Sequence, residues 1–174
     1  MPACGDVRVG PQARAQLMEN RMPAILVIDD DSDVRSAIGS MLKRKGFDVL
    51  TARDGRSGLD LLRAGKFDAV IIDIFMPGME GIATIRELRQ LDSSIPIVAM
   101  SGRAFTDPAT GAPDFLAMAV KLGADRALQK PFGGDELVDA LLCCLADREV
   151  DKGAGRGSPG RNGTGEIDQP TQTA

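Results

Sequence analysis

The chain has 174 residues, 43% of them hydrophobic, which suits one globular domain with its own core. Its net charge of −4 disfavours nucleic acid as a direct partner, and its lack of histidine excludes histidine-based catalytic triads and histidine-ligated metal sites. No apolar stretch approaches the roughly 20 residues that span a bilayer, and the start of the chain lacks the apolar core of a secretory signal. We therefore expect no membrane partner and a cytoplasmic location.

Composition divides the chain into three regions. Residues 1–22 form a polar arm without periodicity, and residues 149–174 are rich in glycine, threonine and proline without an apolar pattern. Both segments are expected to be disordered. The single compact domain is expected over residues 23–148.

Short apolar runs alternate with helical patterns along this domain. Strands are predicted at 24–28, 47–51, 69–73, 95–100 and 124–129. Helices are predicted at 32–45, after Asp54, across 82–91, at 114–122 and at 134–146. The alternation predicts an α/β fold, a flavodoxin-like (βα)5 doubly wound parallel sheet with strand order 2-1-3-4-5.

Helix boundaries have recognisable signals. Asp54 is suited to cap the second helix, and one of Asp30, Asp31 or Asp33 is suited to cap the first. Gly46 is a natural stop for the first helix. Capping needs one aspartate, so it does not explain the whole acidic run that follows the first strand.

Acidic residues follow the first and third predicted strands. Asp29 and Asp30 end the first apolar run, and Asp73 ends the third. These strands flank the switch point of the predicted sheet, where the working crevice lies. Clustered carboxylates repel one another unless a cation neutralises them, and an oxygen-only site suits Mg²⁺. We expect Asp30 and Asp73 to bind it directly, Asp29 directly or through water, and the backbone carbonyl of Phe75 to complete the set.

Two further polar residues follow neighbouring strands. Asp73 is the candidate nucleophile, because a carboxylate can form an acyl phosphate. Lys130 and the metal would offset charge on the phosphoryl oxygens, and Ser101 would donate a hydroxyl to one of them. A cis Lys130–Pro131 bond would turn the chain sharply and aim the amine inward. With no histidine in the chain, any phosphohistidine donor must be a separate molecule.

Three runs resemble the receiver domain of bacterial two-component response regulators: ILVIDDD at 25–31, DAVIIDIFMPGMEG at 68–81 and KPF at 130–132. The resemblance covers most of residues 23–148. It implies that Asp73 is phosphorylated by a sensor histidine kinase or a histidine phosphotransfer protein. The domain would then be a regulatory phosphate acceptor that catalyses only its own phosphorylation and dephosphorylation.

The resemblance also implies a magnesium site and a signalling relay. Asp29, Asp30 and Asp73 would hold the ion, and Ser101 with Lys130 would report phosphorylation to the face formed by the fourth helix, fifth strand and fifth helix.

Two departures from the family pattern concern this relay. Members usually carry an aromatic residue, often tyrosine, three positions before the lysine, where this chain has Ala127. The segment 102–113 is longer than usual, and its Phe105 is a candidate substitute for the missing ring.

The output is expected to be protein binding. The polar tail is too short for an effector domain, so the sequence favours a stand-alone receiver that signals by phosphorylation-dependent binding of a downstream protein. A phosphate shuttle or sink without conformational output is one alternative, and a degenerate receiver acting as an adaptor is another. A dehalogenase-type phosphatase would need an acid where Phe75 lies, and a flavin phosphate would be repelled by Asp29 and its neighbours.

Overall fold

A computed structural model describes residues 22–77, 81–102 and 115–154, the last six of them by backbone alone. The strands are β1 (Ala24–Ile28), β2 (Asp48–Ala52), β3 (Ala69–Asp73), β4 (Ile97–Ser101) and β5 (Arg126–Gln129). The helices are α1 (Ser32–Arg44), α2 (Gly55–Ala64), α3 (Gly81–Leu91), α4 (Phe115–Lys121) and α5 (Gly134–Ala154). Strands and helices alternate along the chain as predicted.

The five strands form one parallel sheet in the order β2-β1-β3-β4-β5. This confirms the predicted flavodoxin-like topology. In the register, Ile28 lies beside Ile72, and Asp73 lies beside Met100. The carboxyl ends of β1, β3 and β4 therefore meet at one edge of the sheet.

Two apolar layers cover the sheet, because successive strand residues point to opposite faces. Ile25 and Val27 of β1 pack with α1 and α5 on one face. Leu26 and Ile28 pack with α2, α3 and α4 on the other. The central strands β1, β3 and β4 are buried on both faces, which is why they read as continuous apolar runs in the sequence.

Helix ends follow the sequence signals. The Asp31 side chain accepts hydrogen bonds from the backbone N–H groups of Asp33 and Val34 and so caps α1, while Asp54 accepts from Ser57 and caps α2. Gly46, just after α1, has a φ of 90°, a left-handed conformation that favours glycine.

Some boundaries differ from the prediction. The fourth strand begins at Ile97 rather than at residue 95, because Pro96 has no N–H to donate to the ladder. The last helix continues to Ala154, six residues beyond the predicted domain boundary at 148. The predicted N-terminal arm, the remainder of the predicted tail and Phe105 lie outside the described residues. Within the described part of the chain, no helix is both long enough and apolar enough to cross a membrane.

Candidate functional site

The sequence-predicted site residues meet at the carboxyl edge of the sheet. Asp29 follows β1, Asp73 ends β3, Ser101 ends β4 and Lys130 follows β5. Carboxylate oxygens of Asp29, Asp30 and Asp73 all lie within 4.8 Å of one another. The cluster arises because β1 and β3 are neighbours in matched register, which places their last residues side by side.

Each polar atom of Asp29 has a partner within the protein. Its side chain is fully buried; Oδ1 accepts a hydrogen bond from the N–H of Asp31 (2.9 Å) and Oδ2 accepts from Lys130 Nζ (2.7 Å). Its N–H donates to the carbonyl of Ala52 (3.2 Å), and its own carbonyl accepts from Arg35 Nη1 (2.6 Å). Asp29 is thus held rigidly, and its carboxylate is already occupied on both oxygens.

Lys130 links two of the acids. Its Nζ lies 2.7 Å from Asp29 Oδ2 and 3.3 Å from Asp73 Oδ1. Burial opposes the charged amine, but the hydrogen bond to Asp29 and the charges of Asp73 and Asp29 outweigh burial and raise the pKa of Lys130. The Lys130–Pro131 peptide bond is cis. Lys130 therefore stays a cation within the acid cluster.

Asp73 is less well satisfied than Asp29. It is 5% exposed, and its Oδ1 is buried with an ion-pair contact to Lys130 Nζ at 3.3 Å but no hydrogen-bond partner among the described residues. Burial raises the pKa of Asp73 to about 6; the Lys130 charge opposes this rise, and the charges of Asp29 and Asp30 add to it. The site thus holds a carboxylate whose charged form is under-stabilised.

The backbone around Asp73 is fixed by close packing. The N–H of Ile74 donates to the carbonyl of Met100 (2.8 Å), and the N–H of Gly81 donates to the carbonyl of Ile74 (3.0 Å). A Cβ at Gly81 would lie 2.0 Å from the carbonyl oxygen of Asp73, so no larger residue fits where α3 begins. The backbone next to Asp73 is therefore held by contacts with β4 and with the first residue of α3.

Ser101 and Asp30 complete the edge. Ser101 is 1% exposed, and its carbonyl accepts a hydrogen bond from the N–H of Lys130 (2.7 Å), which ties the two residues together. Asp30 is exposed and faces the two buried acids. The three acids together could hold a metal ion.

Sequence reasoning did not identify two contacts of this site. Arg35, one helical turn after Asp31, donates to the carbonyl of Asp29, and the signal available for it was an arginine in the first turns of α1. Phe75 packs edge-to-face on Phe115, with ring centroids 5.0 Å apart. Nothing in the sequence pairs these two rings, because they are far apart along the chain.

A family model of the response regulator receiver domain matches residues 25–142. Response regulator MprA of Mycolicibacterium vanbaalenii is 35% identical over 131 residues, covering 75% of this chain and 54% of that protein. Transcriptional regulatory protein PrrA of Mycobacterium tuberculosis is 36% identical over 126 residues, covering 72% of this chain and 51% of that protein. The chain spans about half the length of these curated relatives.

Solved structures show the same fold. A response regulator receiver domain protein from Clostridium thermocellum aligns with a TM-score of 0.66 and 28% identity, covering 74% of this chain and 98% of that one. The chemotaxis protein CheY4 of Vibrio cholerae aligns with a TM-score of 0.63 and 27% identity, covering 71% and 98% of the two chains. Since the family model covers well over half of the sequence, the chain belongs to the response regulator receiver domain family of two-component signalling, whose members are regulatory phosphate acceptors.

Proposed function

We propose that this protein accepts a phosphoryl group on Asp73 from the phosphohistidine of a sensor histidine kinase or a histidine phosphotransfer protein. A carboxylate oxygen of Asp73 would form a bond to phosphorus while the bond from phosphorus to the donor nitrogen breaks, and the donor imidazole would leave. We further propose that the cytoplasm is its location and that phosphorylation changes its binding of a downstream protein.

The observation that carries the proposal is the environment of Asp73. This carboxylate is buried at the end of β3, beside two other acids and one lysine, and its Oδ1 has no hydrogen-bond partner among the described residues. Buried polar atoms are normally satisfied, and exceptions concentrate at functional sites. An arriving cation and phosphoryl group would supply the missing partners.

The residues present fit Mg²⁺. The site offers oxygen ligands, and its three carboxylates outnumber the two cations described beside them, Lys130 and Arg35, which leaves an excess of negative charge for a hard divalent cation to neutralise. We propose that Asp30 and Asp73 bind the ion directly, that the backbone carbonyl of Phe75 completes the protein's share, and that Asp29, whose oxygens are occupied, acts through water. When bound, the ion would neutralise charge on the phosphoryl oxygens.

Two other side chains have proposed roles in the transfer. Lys130 would exchange part of its contact with Asp73 for a phosphoryl oxygen, which its position 3.3 Å from Asp73 Oδ1 allows. Ser101 would donate its hydroxyl to another phosphoryl oxygen, since it ends the neighbouring strand and is tied to Lys130 through the backbone. Both residues would then report the added charge to the rest of the domain.

The test is phosphorylation in vitro. The protein is incubated with Mg²⁺ and acetyl phosphate, and the phosphoryl adduct is measured by intact mass. We expect an adduct that requires Mg²⁺, is lost in Asp73→Asn, and is removed by hydroxylamine as an acyl phosphate should be. Asp60→Asn is the matched control, because Asp60 is an exposed aspartate of α2 whose only described ion pair is with Arg63.

Failure with acetyl phosphate would call for a panel of histidine kinases and phosphotransfer proteins as donors. No adduct from any of these donors would contradict the proposal and favour the adaptor. An adduct that persists in Asp73→Asn would place the acceptor elsewhere.

Ala127 supports a second candidate, a phosphate shuttle or sink without conformational output. The structure places only a methyl group where relatives usually carry an aromatic ring, so the familiar route of conformational signalling is missing. Rapid reverse transfer from phosphorylated Asp73 to a phosphotransfer protein, without a change in downstream binding, would favour the shuttle. The names of the relatives include transcriptional regulators, and an effect on transcription is therefore one output to test through binding partners.

A further inference from the structure

Two of the strand residues on the sheet face that α4 covers have small side chains. Ala127 of β5 lies beside Ala99 of β4 in the register, so two methyl groups neighbour each other on the face that α4 covers. Of the α4 side chains, Ala119 alone is fully buried, while Met118 and Val120 are each 36% exposed. The outer side of α4 is therefore open to solvent, while Phe115 and Leu116 pack against the apolar layer.

The two ends of α4 are held differently. After its C-terminal end, the carbonyl of Gly123 accepts a hydrogen bond from Arg89 Nε (2.9 Å), and the N–H of Ala124 donates to the carbonyl of Ala119 (2.9 Å). At its N-terminal end, Phe115 packs edge-to-face on Phe75 with an interplanar angle of 72°. The N-terminal end of α4 therefore has a side-chain contact with the segment that follows Asp73.

Phe75 belongs to the segment that directly follows Asp73 at the end of β3. It follows Asp73 by two residues, and its neighbours Ile74 and Met76 are 1% and 4% exposed. The N–H of Ile74 is also bonded to the carbonyl of Met100. The Phe75 ring thus lies on the segment directly after Asp73 and contacts α4.

We propose that the Phe75–Phe115 ring contact, in place of an aromatic residue on β5, couples Asp73 to the N-terminal end of α4. This inference rests on the proposed phosphorylation of Asp73. The phosphoryl group adds negative charge and new acceptor oxygens beside Ile74 and Met76, which are packed in the core, so residues 74–76 shift together. Phe115 moves with Phe75, and the N-terminal end of α4 changes position.

The experiment uses the absence of tryptophan and tyrosine from the chain. Met118→Trp places a single fluorophore on the solvent side of α4 and serves as the parent protein. Phe75→Leu and Phe115→Leu are added singly and together; Phe75→Leu leaves the backbone carbonyl in place. Fluorescence and phosphoryl uptake by intact mass are measured on the same sample after addition of Mg²⁺ and acetyl phosphate.

We expect the parent to change its fluorescence on phosphorylation. Each leucine variant should reduce the change per phosphorylated molecule by about fivefold or more, and the double variant should reduce it no further, as expected for two residues of one contact. Phe67→Leu is the matched control, because Phe67 packs in the same apolar layer at the other end of the sheet, and it should keep the full change.

Distinct results would overturn the inference. Phosphorylated leucine variants with the full fluorescence change would show that the ring contact transmits nothing, and an equal loss in Phe67→Leu would show general loosening instead. A parent that is phosphorylated without any fluorescence change would show that α4 does not respond. A parent that takes up no phosphoryl group from acetyl phosphate is given the same panel of kinases and phosphotransfer proteins, and no uptake from any of these donors would overturn the proposed function, and this inference with it.

Discussion

Aspartates lie at both the amino ends and the carboxyl ends of the strands, and the two groups differ in their hydrogen-bond partners. At the amino ends of the strands, Asp125 Oδ2 accepts from the N–H of Ile97 and from Arg89 Nη2, both at 2.7 Å, and Asp68 Oδ2 accepts from the N–H of Ala24 at 2.8 Å. Each of these acids joins two segments of backbone. They stabilise the fold directly.

At the carboxyl ends, the acids face one another instead. Asp29 and Asp73 share Lys130, Asp30 lies beside them, and Asp73 keeps an oxygen without a hydrogen-bond partner among the described residues. The comparison teaches that the number of acids does not identify a functional site. A functional site is indicated instead by a buried carboxylate oxygen that has no hydrogen-bond donor within the described fold.

The largest effect on the free energy of unfolding is expected from a substitution at the amino ends of the strands. Arg89 donates to the carbonyls of Gly123, Ser93 and Ile95 and pairs with Asp125. Arg89→Ala would leave several of these acceptors unpaired and should lower the free energy of unfolding by about 3 kcal/mol, measured by urea denaturation. Arg86→Ala, an exposed arginine of the same helix, should change it little. An effect of Arg89→Ala as small as that of Arg86→Ala would show that the contacts at the amino ends of the strands do not stabilise the fold.

The largest effect on the rate of phosphorylation is expected from a substitution at the carboxyl ends of the strands. Lys130→Met removes the cation that faces Asp73 and should slow phosphorylation by acetyl phosphate about 100-fold, by analogy with loss of one stabilising donor in other transfer reactions. Lys45→Met is the matched control, because the ion pair of Lys45 with Asp135 lies exposed at the surface. Equal rates for the two variants would assign Lys130 a structural role.

Removing the charge of Asp73 should stabilise the protein in the absence of Mg²⁺. Burial raises the pKa of Asp73 to about 6 in the folded state, above its ordinary value of 3.8. Stability from this group is therefore full below the unfolded pKa and is lost as the pH rises through the folded pKa. Above pH 7, Asp73→Asn should exceed the parent in free energy of unfolding by about 2 kcal/mol.

The pH dependence provides the check. At pH 4 the Asp73 carboxyl is protonated in the folded state, so the two proteins should unfold at nearly the same urea concentration. Saturating Mg²⁺ at neutral pH should raise the free energy of unfolding of the parent, and it should raise that of Asp73→Asn by less. An Asp73→Asn variant that is less stable than the parent at every pH would show that this carboxylate is satisfied in the fold.

The smallest effects are expected at the helix caps. Asp54→Ala removes the cap of α2, far from the acid cluster, and should cost about 1 kcal/mol. Asp31→Ala also removes a cap, and since Asp31 is exposed while Asp54 is half-buried, its cost should be no larger. Thermal unfolding of both variants without Mg²⁺ compares them, and a larger loss for Asp31→Ala would contradict this explanation.

The fold and the acid cluster could be predicted from the sequence because both follow from local patterns. Continuous apolar runs identify β1, β3 and β4, and the alternation with helices predicts their parallel order. Once β1 and β3 are neighbours, Asp29 and Asp73 must lie together. The caps at Asp31 and Asp54 needed only the residue type before each helix.

Contacts between distant segments could not be predicted in the same way. Arg89 reads as an ordinary solvent-facing arginine of α3, and only the packed structure brings it to Gly123 and Asp125. The pairing of Phe75 with Phe115 likewise depends on where α4 lies on the sheet. Such contacts follow from the tertiary arrangement, which local propensity does not encode.

Asp68 has a consequence for protein engineering. Its side chain accepts a hydrogen bond from Ala24 at the start of β1, and its carbonyl accepts one from Arg148 near the end of α5 (3.0 Å). Asp68 thus contacts both the start of β1 and α5, six residues before that helix ends, at the edge of the sheet opposite Asp73. Domains with adjacent ends tolerate insertion into the surface loops of other proteins. This domain could be grafted into a host enzyme or fluorescent protein with its phosphoacceptor edge facing outward.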